Sequence, residues 1–357
     1  MSQKGIITMP TFHEKPKKRS RFLKASLIIV SFFAALAAVM AAMFFFFMVT
    51  PPDIPDRSTL ASGDEAELSL TTLTQTTAPA RFDEANRKEL FYTVLIIGLT
   101  EGFNANTIMV ASFDGVSGDA ALVSIPRDSL VNVNRWHRKI HAAFPIGMQD
   151  ERGFEGGVAQ MQREVMSVIG FVPDFYVVID YAAFEQIIDA VGGIEIEAPF
   201  HMRYDDPCQD LHINILPGLQ QMDGRTALHF ARYRQSNFGY QDITDYQRIE
   251  HQQMVVAAVM NNLFRPANVL RIPTFVDIFT ENVHTNLSAG NLLWFAMQFQ
   301  EVRGTDALST YTLPAETSGY PRWYEILYAP GIVELVNRTI NPYEQEIELR
   351  DLDIITY

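Results

Sequence analysis

The longest uncharged apolar stretch runs from Ala25 to Val49 and includes Leu27-Ile28-Ile29-Val30 and Phe44-Phe45-Phe46-Phe47. As a helix rising about 1.5 Å per residue, it reaches roughly 37 Å, enough to cross a hydrocarbon core of about 30 Å with some tilt. A cleaved signal peptide has an apolar region of about 7–15 residues and ends at small residues. Met48-Val49-Thr50-Pro51-Pro52 offers no such ending. The pattern therefore predicts an uncleaved transmembrane helix over 25–49. Residues 50–88, with Pro51-Pro52-Asp53-Ile54-Pro55 and Thr71-Thr72-Leu73-Thr74-Gln75-Thr76-Thr77, hold no apolar period and read as an extended tether.

Beyond Leu90 the pattern alternates between strand and helix. Thr93-Val94-Leu95-Ile96-Ile97-Gly98-Leu99 is a continuous apolar run, as in a central strand covered on both faces. Thr107–Phe113, Ala120–Pro126 and Phe175–Ile179 read as further strands. Phe154, Val158, Met161, Val165 and Val168 recur at helical spacing. A short helix carries Phe184, Ile187, Ile188 and Val191 inward. The turn Gly192-Gly193 then leads to the alternating strand Ile194-Glu195-Ile196-Glu197. A helix over Asp245–Leu263 places Ile249, Val256, Met260 and Leu263 on one side. Such alternation means an α/β domain, a sheet between helix layers. The domain is expected over 89–263, with a C-terminal extension, 264–357, packing on it. No internal repeat is visible.

Charge sets the topology. The net charge is −14, but residues 1–24 hold seven Lys/Arg against Glu14, so this tip carries +6 and the remainder −20. Positive charge just before the span predicts a cytoplasmic N-terminus, residues 1–24, and a domain exported beyond the cell membrane on a single-pass anchor. An acidic body argues against nucleic acid as a partner. Cys208 is the one cysteine, which excludes an intramolecular disulfide and a thiolate zinc site.

The common catalytic signatures are absent: there is no Gly-x-Ser-x-Gly, His-Glu-x-x-His, Walker loop or Gly-x-Gly-x-x-Gly. Cys208 is expected as a small packed side chain rather than a nucleophile. His137 and His141, four apart, are expected as ordinary histidines rather than metal ligands. The loop Asp205-Asp206-Pro207-Cys208-Gln209-Asp210 reads as a polar turn. The arginines are more informative. Arg127 follows a strand end, where α/β sheets place binding residues. Arg232 and Arg234 are two apart, so an extended backbone would point both the same way. Arg248 and Gln252 share a helix face with Asp245. Guanidinium forks suit phosphate oxygens, and several converging ones suit a pyrophosphate. Surface pairing with acids is the alternative for each taken singly.

Ile125-Pro126-Arg127-Asp128, Lys139-Ile140-His141-Ala142-Ala143, Tyr176-Val177-Val178-Ile179-Asp180, Val191-Gly192-Gly193-Ile194, Gly224-x-x-Ala227-Leu228 and Ala231-Arg232-Tyr233-Arg234 occur in this order. The series resembles the LytR-CpsA-Psr (LCP) family of cell-envelope proteins, and the topology is similar too. The resemblance implies a layered α-β-α domain with a central mixed sheet and an apolar lipid tunnel. It also implies a phosphotransferase that moves a glycopolymer from a polyprenyl-pyrophosphate carrier to a hydroxyl of peptidoglycan or protein, with Mg²⁺ or Mn²⁺. Carried over, the pyrophosphate and catalytic residues are Arg127, Arg232, Arg234 and Arg248, with Gln252 beside them.

The metal positions depart from the family. Thr100, with Glu101 next, stands where the resemblance places the first metal-holding Asp, and Asn106 stands where it places the second. The helix motif Arg-Gln-Gln reads His251-Gln252-Gln253. Mg²⁺ prefers anionic oxygens. Glu101 or another acid such as Asp128 takes over, or the ion binds only through substrate phosphates, or the domain binds without turnover. Two readings follow: an LCP-type transferase, and an LCP-like protein that holds polyprenyl pyrophosphate or envelope glycan without reacting. A transcriptional regulator is a third and least favoured reading, since it would need a cytoplasmic DNA-binding domain and 24 residues cannot fold into one.

Overall fold

The computed structural model describes residues 86–263, 272–301, 308–319 and 323–355, together with Asn268, 51–54 and six positions near the N-terminus. Those six, Val30, Ser31, Phe33, Ala35, Leu36 and Val39, are helical, and the rest of the expected span over 25–49 lies outside the described residues. So do the basic tip and the tether over 55–85. Among the described residues no helix is long and apolar enough to cross a membrane. The chain divides into two units, Met1–Thr50 and Pro51–Tyr357, and everything below concerns the second.

Its centre is a six-stranded mixed sheet. Strand β1 (Phe91–Leu99) lies between β2 (Ala105–Asp114), antiparallel to it, and β4 (Phe175–Ile179), parallel to it. Strand β3 (Ala120–Ser124) extends the sheet beyond β2. The pairs β5 (Ile194–Ala198) with β8 (Gly218–Met222), and β6 (Met202–Asp206) with β7 (Leu211–Ile215), form separate ribbons. Thus the strand expected at 194–197 exists but is not part of the main sheet. Both edges come from the C-terminal extension: β9 (His284–Thr285) pairs with β4, and β10 (Leu308–Thr312) with β3. A hairpin, β11 (Ala315–Thr317) and β12 (Glu325–Leu327), follows. The extension therefore completes the sheet rather than only packing on it.

Helices α1 (Ala143–Gly147) and α2 (Phe154–Ile169) precede β4. Next come α3 (Tyr181–Ala190), capped by Asp180, and α4 (Gly224–Arg232), capped by Asp223. Helices α5 (Asp245–Leu263), α6 (Ile272–Asn282), α7 (Ala289–Glu301) and α8 (Ala329–Thr339) complete the layers.

Side chains alternate across a strand, so β1 has two distinct faces. Leu95, Ile97 and Leu99 join Ile108, Val110, Val123 and Ile125 in a dry core. Val158, Met161, Val165 and Val168 of α2 and Ile332, Leu335 and Val336 of α8 close it. Val94, Ile96 and Gly98 face the other way and line a cavity. The apolar run is thus buried in protein on one face only. At the start of β1, Thr93 N and Oγ1 donate to the buried Asp174 Oδ2 at 2.7 and 2.8 Å, and Arg87 Nη2 donates to it at 2.9 Å. This network fixes β1 against the chain entering β4.

Candidate functional site

The cavity has a volume of about 940 Å³ and lies between the second sheet face and the helices that cover it. Its floor is Val94, Ile96, Met109, Leu122 and Val177; its roof includes Val255, Val259 and Met260 of α5 and Phe275 and Phe279 of α6. Strand register polarises it. At the end marked by Tyr92 and Phe113, the rings of α7 close in: Phe299 lies 4.5 Å from Phe113, and Phe295 5.4 Å from Tyr92. At the other end, roughly 20 Å along β1 at about 3.3 Å per residue, Gly98 and Thr107 are paired. A Cβ on Gly98 would sit 2.9 Å from Thr107 Cβ, so only glycine permits this close approach.

Polar groups gather at that second end. Thr100 and Glu101 follow β1, Asn106 begins β2, and Arg127 follows β3. Arg232 and Arg234 come from the end of α4, and Arg248 and Gln252 from α5; all eight line the cavity. Arg232 is the last residue of a helix and Arg234 lies just beyond it, not on the extended segment expected. Asp223 caps a run whose buried residues, Ala227, Leu228, Phe230 and Ala231, keep helical spacing up to the fully buried Tyr233. On α5 the apolar residues also divide. Val256 and Met260 face the cavity, whereas Ile249 and Leu263 are buried in protein.

The arginines differ in how they are held. Arg232 lies over the Tyr181 ring, 4.5 Å from its centroid, and Nη2 donates to Gln209 Oε1 at 3.4 Å. Arg234 is exposed. Arg127 and Arg248 flank Asp245, whose Oδ1 lies 3.6 Å from Arg127 Nη2 and 2.7 Å from Arg248 Nη2. The second contact is an ion pair by distance but is out of line for a hydrogen bond, since both atoms are without such a partner. Arg127 Nη1 donates to Asn106 Oδ1 at 3.0 Å. Arg127 Nε and Arg248 Nε and Nη2 are buried yet make no hydrogen bond among the described residues. Burial, then the nearby Arg127 charge, lowers the Arg248 guanidinium to about 10, which leaves it charged at neutral pH. Buried donors of this kind are expensive unless a ligand satisfies them.

Asp128 turns away from the cavity. It pairs with Lys139 Nζ at 3.0 Å and His141 Nδ1 at 3.4 Å. Burial raises its carboxyl, but the adjacent His141 and Lys139 more than offset this and hold it well below the usual carboxylate range. His141 therefore lies against Asp128. Cys208, expected packed, is exposed on the short turn Pro207–Gln209, where Asp206 Oδ1 accepts from its backbone N–H. The 205–210 loop is a polar turn.

Thr100, Glu101 and Asn106 do not make a resident Mg²⁺ site. Glu101 is exposed, the Asn106 oxygen is engaged by Arg127, and Thr100 offers a neutral hydroxyl. Among the described residues no three His, Cys, Asp or Glu side chains are grouped to hold a metal. Mg²⁺ held without phosphate asks for more anionic oxygen than this.

The LytR_cpsA_psr family model matches residues 65–336. The chain belongs to the LytR_cpsA_psr family. The match runs past residue 263, in keeping with the strands that the extension adds to the sheet. The Staphylococcus aureus regulatory protein MsrR is 22% identical over 63% of this chain and 65% of its own length. The Bacillus subtilis polyisoprenyl-teichoic acid–peptidoglycan teichoic acid transferase TagV is 25% identical over 58% of this chain and 52% of its own. The probable cell wall biosynthesis protein LcpB of Corynebacterium glutamicum is 32% identical over 46% of this chain and 36% of its own. The match thus spans less than two thirds of each relative.

Solved structures share the LCP fold. B. subtilis TagV superposes with a TM-score of 0.58 at 21% identity, covering 74% of this chain and 98% of that one. A Streptococcus agalactiae protein superposes at 0.61 and 17% identity, covering 75% and 93%. TagT bound to LI-WTA superposes at 0.53 and 18% identity, covering 71% and 90%.

Residue periodicity put Asp245 on one helix face with Arg248 but could not reveal that Asp245 also pairs with Arg127, nor that Gln209 and Tyr181 support Arg232. The partners in these contacts lie between 3 and 118 positions apart and carry no motif of their own.

Proposed function

We propose that this chain is a membrane-anchored phosphotransferase that moves a glycopolymer from a polyprenyl-pyrophosphate carrier to a hydroxyl of peptidoglycan or protein. One observation carries the reading. The buried Nε donors of Arg127 and Arg248 make no hydrogen bond to any described residue, and they stand at the polar end of a long apolar cavity. A pyrophosphate would satisfy those donors while its hydrocarbon chain takes the channel lined by Val94, Ile96 and Phe279, all apolar. The names of TagV and TagT's bound ligand support a lipid-linked wall polymer as the donor class.

In the proposed reaction, the acceptor hydroxyl oxygen bonds to the phosphorus attached to the glycan. The bridging P–O bond to the second phosphate breaks, polyprenyl phosphate leaves with the electron pair, and the hydroxyl proton is released to solvent or to an oxygen of that leaving phosphate. Charge grows on the bridging oxygen and the transferred phosphoryl oxygens. Arg127 and Arg248, fixed before substrate arrives, stabilise that charge without reorganising. Arg232, Arg234 and Gln252 hold the outer oxygens. A divalent ion, where one takes part, arrives with the phosphates, so Mg²⁺ is expected to bind weakly to the protein alone by calorimetry.

The test follows release of polyprenyl phosphate from a polyprenyl-pyrophosphate-linked sugar, with Mg²⁺ and with chelator. Arg127→Ala is expected to lower release by about a hundredfold or more. Binding that weakens in Arg127→Ala without any release from the unaltered protein would instead make it a carrier-binding protein that does not turn over.

A further inference from the structure

Glu325, far along the C-terminal extension, touches both walls that carry Arg127 and Arg248. Its backbone N–H donates to Asp128 O at 3.0 Å, and its carbonyl accepts from Leu130 N at 2.9 Å. These bonds clamp the segment immediately after Arg127. Its side chain reaches the other wall: Tyr246 Oη donates to Glu325 Oε2 at 2.9 Å, and Thr317 Oγ1 donates to Oε1 at 2.8 Å. Tyr246 sits in the first turn of α5, beside Asp245 and two residues before Arg248. Glu325 is only 8% exposed, so both carboxylate oxygens are satisfied in a site where water competes little. Burial, then the bond to Glu325, raises the Tyr246 hydroxyl, which keeps it a donor throughout the ordinary pH range. Neither residue lines the cavity.

We propose that Glu325 and Tyr246 form a positioning brace that sets the separation of Arg127 and Arg248 to that of a pyrophosphate. The brace rests on the pyrophosphate reading of the site and gives the C-terminal extension a part in it. A loosened brace lets the first turn of α5 shift against the 126–130 segment. Each arginine then still meets one phosphate, but the pair no longer spans two. The brace therefore governs selectivity between diphosphate and monophosphate, which a contact that only stabilises the fold would not.

The experiment titrates the full 357-residue chain with inorganic pyrophosphate and, separately, inorganic phosphate by calorimetry. Thermal unfolding is recorded alongside. Tyr246→Phe removes one hydroxyl and keeps the ring. It is expected to weaken pyrophosphate binding about ten- to a hundredfold, the weight of one hydrogen bond to a charged group, with phosphate binding unchanged. Glu325→Gln retains an oxygen for Tyr246 and is expected to keep the unaltered selectivity, whereas Glu325→Ala loses it. If the unaltered chain binds pyrophosphate and Tyr246→Phe weakens both anions equally, or neither, the brace is overturned. Loss of selectivity in Glu325→Gln overturns it as well and remains readable if Tyr246→Phe does not fold. No pyrophosphate binding by the unaltered chain overturns the reading of the site itself, and the brace with it.

Discussion

Asn106 shows how one side chain redirects a site. An aspartate there would offer an anionic oxygen to a cation, whereas the amide presents a neutral oxygen that Arg127 Nη1 already occupies. The cationic character of the mouth thus rests on guanidiniums, with Asp245 the one carboxylate between Arg127 and Arg248. His251, where the family motif has Arg, is a second redirected position. It is buried, its ring stacks 4.5 Å from Phe230, and burial pushes its pKa down to about 4. In the unfolded chain a histidine titrates near 6.5, so the folded state resists a proton that the unfolded state accepts. The neutral His251 therefore contributes stability fully above pH about 6.5 and loses it as the pH falls towards 4. The slope is up to about 1.4 kcal/mol per pH unit. Chemical denaturation between pH 4 and 7 is expected to show this fall, and His251→Phe to flatten it.

Strand β1 carries two jobs on alternate residues. Leu95 is fully buried in the dry core, while Ile96, the next residue, lines the cavity. Leu95→Ala is expected to destabilise the protein by about 2–5 kcal/mol, as a cavity left in a closed core does. Ile96→Ala opens space that is already accessible and is expected to cost less than half as much, while weakening retention of the lipid-linked donor. Denaturation midpoints and donor binding on the two variants check the contrast; equal destabilisation would mean that the two faces are packed alike. The run from Val94 to Leu99 was legible as a strand because none of its residues carries a polar side chain. The division of its faces was not, because a hydrocarbon-lined cavity and a dry core select the same residue types.

The two ends of the chain present opposite cases. The apolar run Ala25–Val49 with its basic flank is read from composition alone. The full chain is expected to float with lipid vesicles on a density gradient, and a version beginning at Pro51 to remain at the bottom. Equal flotation of both would locate membrane affinity elsewhere. The C-terminal extension was legible only as helices and short strands, yet β9 and β10 form both sheet edges and Glu325 joins the arginine-bearing walls. Such pairings cross 79 or more positions of chain, and nothing in the local pattern of either partner records them.

What the sequence alone determined was therefore local or additive: the alternation of elements, the helix over Asp245–Leu263, the charge division at the N-terminus and the choice of arginine for an anion. Each follows from periodicity or charge within a short window. The tertiary structure decided which donors stay unsatisfied. Arg232 received Tyr181 and Gln209, and Arg127 received Asn106 and Asp245, while Arg127 Nε and Arg248 Nε were left buried without a partner. A side chain's partners are set by which distant backbones the core brings within about 3 Å, and that is a property of the packed fold.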